Sequence, residues 1–151
     1  MIPRRKPVSP EAEQKLAADQ ALAARFDELL GEARVAEQEL RDAEAANAPL
    51  IERYRLAKRL DAALTAAMRA AYAAERLAIG PLGYEDRIYR RKAKATPPVR
   101  VWSAEAERLL TLRESHRLTG IPRMPRTPAT GGSDELAPGF QPAGAGPVTT
   151  R

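Results

Sequence analysis

Residues 22–80 read LAARFDELLGEARVAEQELRDAEAANAPLIERYRLAKRLDAALTAAMRAAYAAERLAIG, and their apolar pattern decides the fold. In the first half, Leu22, Phe26, Leu29, Ala33, Ala36, Leu40 and Ala43 recur at spacings of 4, 3, 4, 3, 4 and 3. Alternating steps of this kind hold apolar side chains on one face of a helix and define a heptad seam. Asn47-Ala48-Pro49 interrupts it. Proline disfavours helical geometry in the residue before it and suits the start of a new helix. The second half carries its own seam, Leu50, Ala57, Leu60, Leu64, Ala67, Ala71, Ala74 and Ala78, widened by Met68, Tyr72 and Ile79. Gly80-Pro81 ends it, with glycine free to take the left-handed conformation that closes many helices.

The connection at 47–49 is short, and short connections join antiparallel neighbours. The expected fold is therefore all-α: a long antiparallel two-helix hairpin, coiled-coil-like, followed by a short third helix and extended arms. Phe26 or Leu29 should meet the later part of the second helix and Leu40 its beginning. One helix kinked at Pro49 and paired with another copy is the competing arrangement.

Upstream, Ser9-Pro10-Glu11 forms a good helix start, with a capping hydroxyl, proline at the first helical position and Glu11 and Glu13 near the positive end of the dipole. No proline follows until Pro49, and Gly31 is the one glycine in between, so the first helix is expected to run unbroken from 10 to 46. Its length would be ~55 Å. Downstream, residues 81–102 read as a basic, extended linker, interrupted by Gly83, Pro97 and Pro98. Val99-Arg100-Val101-Trp102 alternates within it like a short strand. Ser103 then caps a third helix over 103–120, which Leu109, Leu110, Leu112 and Leu118 make apolar and Thr119-Gly120-Ile121-Pro122 stops. The chain thus divides into a basic arm at 1–9, the hairpin at 10–80, the linker at 81–102, the short helix at 103–120 and a Pro/Gly-rich tail at 121–151. The tail cannot bury enough apolar surface to offset its ordering entropy alone. Within it, Pro122 and Pro125 beside Arg126 have PxxP spacing, and Ile121 to Pro128 reads as an extended recognition strip or spacer.

Composition narrows the function. Aromatic residues make up 5% of the chain and alanine supplies much of the apolar fraction, so thin helix-on-helix packing suits it better than a thick core. There is no cysteine and one histidine, which leaves no disulfide and no thiolate metal site. Ser115 and His116 are adjacent, so on a helix they point ~100° apart and make no dyad. His116 reads as a surface residue in a last helical turn. No glycine-rich phosphate loop follows a strand. Catalytic, cofactor and metal sites are therefore expected to be absent. No apolar run is long enough for a membrane span, and neither a signal peptide nor a small-molecule substrate is indicated.

Charge is segregated. Residues 11–47 hold ten acids and four bases, whereas 81–102 hold six bases and two acids. Such segregation favours pairing within the molecule and with partners. The basic run Arg87, Arg90, Arg91, Lys92 and Lys94, continued by Arg100 and interleaved with Tyr89 and Trp102, is the candidate partner-binding site. Bases with aromatic neighbours can neutralise phosphates and stack on bases, or dock on an acidic protein surface. The leading expectation is a non-enzymatic structural or assembly protein of a larger complex, binding neighbouring subunits with its arms. Phage virion components (head, connector or tail accessory) have a similar architecture of helical body and extended arms, an analogy of form alone. A nucleic-acid-binding accessory protein using 87–100 is the alternative. The expected location is the cytoplasm, or a virion assembled there.

Overall fold

A computed structural model describes residues 7–126; most of the N-terminal basic arm and the tail beyond 126 lie outside the described residues. Five α-helices pack together: α1 (Pro10–Ala23), α2 (Phe26–Ala45), α3 (Leu50–Ile79), α4 (Arg87–Ala93) and α5 (Pro97–Ser115). A 3-10 turn, Pro81–Tyr84, joins α3 to α4, and a wide π-type turn, His116–Gly120, follows α5. No strand occurs among the described residues.

The N-terminus forms as its residues dictate: the Ser9 hydroxyl accepts from the Ala12 amide at 3.2 Å, and Pro10 fills the first turn. The expected continuous helix is instead broken at Ala24–Arg25, where the Arg25 amide bonds back three residues to Leu22 at 3.1 Å. Gly31 stays inside α2, so glycine does not cause the break. Ala12, Asp19, Phe26, Ala33 and Leu40 recur every seven residues and are all buried. A straight helix drifts by ~20° per heptad. The tightened turn at Ala24–Arg25 resets that drift and keeps the stripe on α3.

The end of α2 is closed by Asn47 in the left-handed region, φ 51°, with the Ala48 amide reaching Ala43 at 2.9 Å and the Asn47 amide reaching Glu44 at 3.1 Å. Asparagine tolerates this conformation better than most side chains. Gly80 ends α3 at φ 97°, as expected of glycine there.

α3 is the centre of the fold, and α1, α2 and α5 all pack on it. Phe26, Leu29, Ala33, Ala36 and Leu40 of α2 join Ala57, Leu60, Leu64, Ala67 and Ala71 of α3 in one core, which α5 completes with Ala106 and Leu109. Ala78 departs from its expected seam position and is exposed. In that last stretch the buried set shifts to Ala70, Ala73, Ala74, Glu75 and Ile79 because α1, α5 and the 3-10 turn close around it.

The segment 81–102 overturns the expectation of an extended linker. Pro97 and Pro98 occupy the first turn of α5, where a missing amide costs nothing, and Val99 to Trp102 continue that helix rather than forming a strand. Ser103 is consequently interior to α5, and its hydroxyl donates to the Val99 carbonyl at 3.1 Å instead of capping. Val99 is buried at 1% exposure. His116 is not a free surface residue either: it is half-buried, with Nε2 2.7 Å from the Ala57 carbonyl, while Arg117 clasps Asp61 at 2.6 and 3.2 Å. Ile121, the first residue of the expected tail, packs on the core.

Candidate partner-binding surface

The surface begins with a buried anchor. Asp19 on α1 accepts two hydrogen bonds from Arg76 on α3, each 2.8 Å, and a short one from the Tyr84 hydroxyl in the 3-10 turn. Burial opposes ionisation of Asp19, but the donors Arg76 and Tyr84 outweigh it and hold the carboxyl below the usual carboxylate range. Burial, then the bond to Asp19, pushes the Tyr84 hydroxyl up to about 12. All three groups are mutually satisfied, so the cluster is a tie between α1, α3 and the 3-10 turn. Gly83 lies against Ile79, where an added Cβ would fall 2.3 Å from the isoleucine Cγ2, so a larger residue here would force Ile79 to shift.

From that anchored turn α4 projects. Asp86 caps it, its carboxylate accepting from the Ile88 and Tyr89 amides at 2.9 and 3.0 Å. Arg90 hooks the helix back by donating to the Gly83 carbonyl at 3.1 Å, and Lys94, just beyond it, pairs with the buried Glu75 of α3 at 3.7 Å. Arg90 and Lys94 thus turn to the body of the fold, whereas Arg87, Ile88, Arg91 and Lys92 lie together on the surface. These four line a common surface recess, and α4 buries none of its residues. Ile88 is 68% exposed, and neither Arg87, Arg91 nor Lys92 has an acidic partner among the described residues.

The eight residues singled out from the sequence thus separate. Arg87, Arg91 and Lys92 come together, with Tyr89 exposed on their flank. Arg90 and Lys94 hold intramolecular partners. Arg100 lies on α5 in a separate cleft with Tyr72, Glu75 and Glu107. Trp102 is half-buried and meets the Phe26 ring edge-on, at a centroid distance of 5.2 Å and an interplanar angle of 88°. There it packs against the core, away from the α4 bases. Sequence reading missed Ile88, which a helical rather than extended period over 87–94 would have grouped with the three bases.

The chain matches no protein-family model, no curated protein and no solved structure. Among the described residues, no helix is long and apolar enough to cross a membrane.

Proposed function

We propose that this chain is a non-enzymatic assembly protein that uses α4 to dock a protein partner within a larger complex. The observation that carries this reading is Ile88, an exposed isoleucine set among three cations on a helix that buries nothing. An apolar anchor inside a charged rim is the anatomy of a protein interface. A phage head, connector or tail accessory is the setting we favour, by analogy with helical bodies that carry arms. We read α2 and α3 as the antiparallel, coiled-coil-like rigid part of that body. Their heptad positions share the core, and Arg59 of α3 pairs with Glu39 of α2 at 2.5 Å.

Tyr89, 41% exposed beside the same bases, favours the second reading, a nucleic-acid-binding accessory protein. One experiment separates the two. The Arg87→Ala/Arg91→Ala/Lys92→Ala and Ile88→Ser variants of the full chain are compared with wild type for assembly in the native complex and for DNA and RNA binding against salt. Loss of assembly in both variants, with helicity unchanged, supports protein docking. Intact assembly in both overturns it. Binding of nucleic acid that falls steeply with salt, and that the triple variant alone loses, supports the second reading.

A further inference from the structure

We infer that the partner of α4 is a second copy of this chain, whose α2–α3 groove receives Ile88. This deepens the docking reading above and rests on it. The groove lies on the outer side of α2 and α3, lined by Glu32, Val35, Arg59, Ala62, Ala63 and Ala66. Val35 is 53% exposed there, an apolar side chain without cover. The neighbouring alanines are small and leave room for an incoming isoleucine.

Charge runs the right way. Glu28, Glu32, Val35 and Glu39 follow one another at spacings of 4, 3 and 4, a single stripe along α2. Glu28 and Glu39 already hold Arg25 and Arg59, but Glu32 is exposed and has no basic partner among the described residues. It stands beside Val35 as Arg91 and Lys92 stand beside Ile88. The two surfaces therefore match in kind: apolar centre to apolar centre, cation to carboxylate. The segments that contribute them carry opposite net charge, with an acid excess over 11–47 and a base excess over 81–102.

The two surfaces do not meet within one molecule in this fold. The groove flanks the middle of α3, whereas α4 follows the 3-10 turn at its C-terminal end, with Lys94 reaching back only as far as Glu75. From Ala63 to Ile79 the helix rises ~24 Å. Contact of α4 with a groove must be made in another copy, and because the two patches differ, the interface is heterologous. Repetition of a heterologous contact gives a closed ring or an open filament rather than a two-fold dimer.

The test uses the full chain at rising concentration in analytical ultracentrifugation, at ~50 mM and ~500 mM salt, since screening between exposed charges deepens with ionic strength. Wild type should form species larger than dimers, weakened by about tenfold or more at high salt or by either variant below. Ile88→Asp removes the anchor on α4, and Glu32→Lys/Val35→Asp removes the receiving groove. Each variant should remain monomeric alone. Mixed in equal amounts they should form a dimer that grows no further, because each chain retains one working surface. Rescue of Glu32→Lys by Arg91→Glu in the partner chain assigns the ion pair. A wild-type chain that stays monomeric at ~100 μM and ~50 mM salt, or a mixture that does not dimerise, overturns the inference. If wild type is monomeric while Ile88→Ser still abolishes assembly in the native complex, self-association fails and the docking reading stands. If that variant also assembles normally, both fall.

Discussion

In the last turns of α3, Ala67, Ala70, Ala71, Ala73 and Ala74 are buried, whereas α4, which starts eight residues after α3 ends, buries nothing. Both are helices, yet they are helical for different reasons. The alanine run is enclosed by α1, α5 and the 3-10 turn, and small side chains are what let three elements approach one helix. α4 has no such enclosure. It is held by the Asp86 cap, the Arg90 hook and the Lys94–Glu75 pair, and its remaining surface is uncovered. Packing residues and exposed residues therefore occupy adjacent stretches of chain, and substitutions should separate them by magnitude.

The largest effect is expected in the enclosed region. Leu109 on α5 is 1% exposed, and Leu109→Ala should cost ~2–5 kcal/mol in denaturant unfolding, through lost burial and the cavity left behind. Leu60→Ala should fall in the same range, whereas Arg59→Ala, at a largely exposed ion pair, should change stability little. Equal small effects at Leu60 and Arg59 would break the assignment of the core. Next in size, Ala71→Leu adds volume where exposure is 0% and should cost ~1–3 kcal/mol. A neutral result would show that the alanine run is not tightly enclosed.

The anchor between the two regions should be intermediate. Asp19→Ala removes the carboxylate that joins Arg76 and Tyr84, and should cost ~2 kcal/mol near neutral pH, because Arg76 is partly open to solvent. The pH dependence has a fixed sign. The folded-state pKa of Asp19 lies below its ordinary 3.8, so its contribution is full above that pH and is lost as pH falls through the lowered value. Tyr84 is displaced the other way, from 10.0 to about 12, so its contribution is full below 10.0 and is lost as pH rises through about 12. The stability gap between wild type and Asp19→Ala should therefore be flat near neutrality and narrow toward both extremes. A gap that widens on acidification would contradict the tie. The smallest effect belongs to α4: Arg87→Ala/Arg91→Ala/Lys92→Ala should leave unfolding within ~0.5 kcal/mol of wild type. A large loss would mean that these bases support the fold, and that the contrast between the two regions is false.

Much of the helical body was legible from residue types alone. Ser9 and Pro10 begin α1, Asn47 to Pro49 separate α2 from α3, and Gly80 ends α3, because caps, proline and left-handed positions act within a few residues of themselves. The buried positions Phe26 to Leu40 and Ala57 to Ala74 follow a period that is likewise written locally. Pro97-Pro98 was locally ambiguous, since the same residues open a helix or hold an extended chain, and packing of Val99 and Trp102 chose the helix. The break at Ala24–Arg25 carries no local breaker and follows from keeping the α1–α2 stripe on α3. The candidate site divides in the same way: its cluster of bases was visible, but not which of them the fold consumes. Arg90 turns to Gly83, Lys94 to Glu75 and Trp102 to Phe26 because those partners lie on other elements, brought near only when α1 and α5 close around α3. Periodicity and caps are properties of neighbours in sequence, which the chain determines by itself. Which side chains remain uncovered is a property of neighbours in space, and only the tertiary structure decides it.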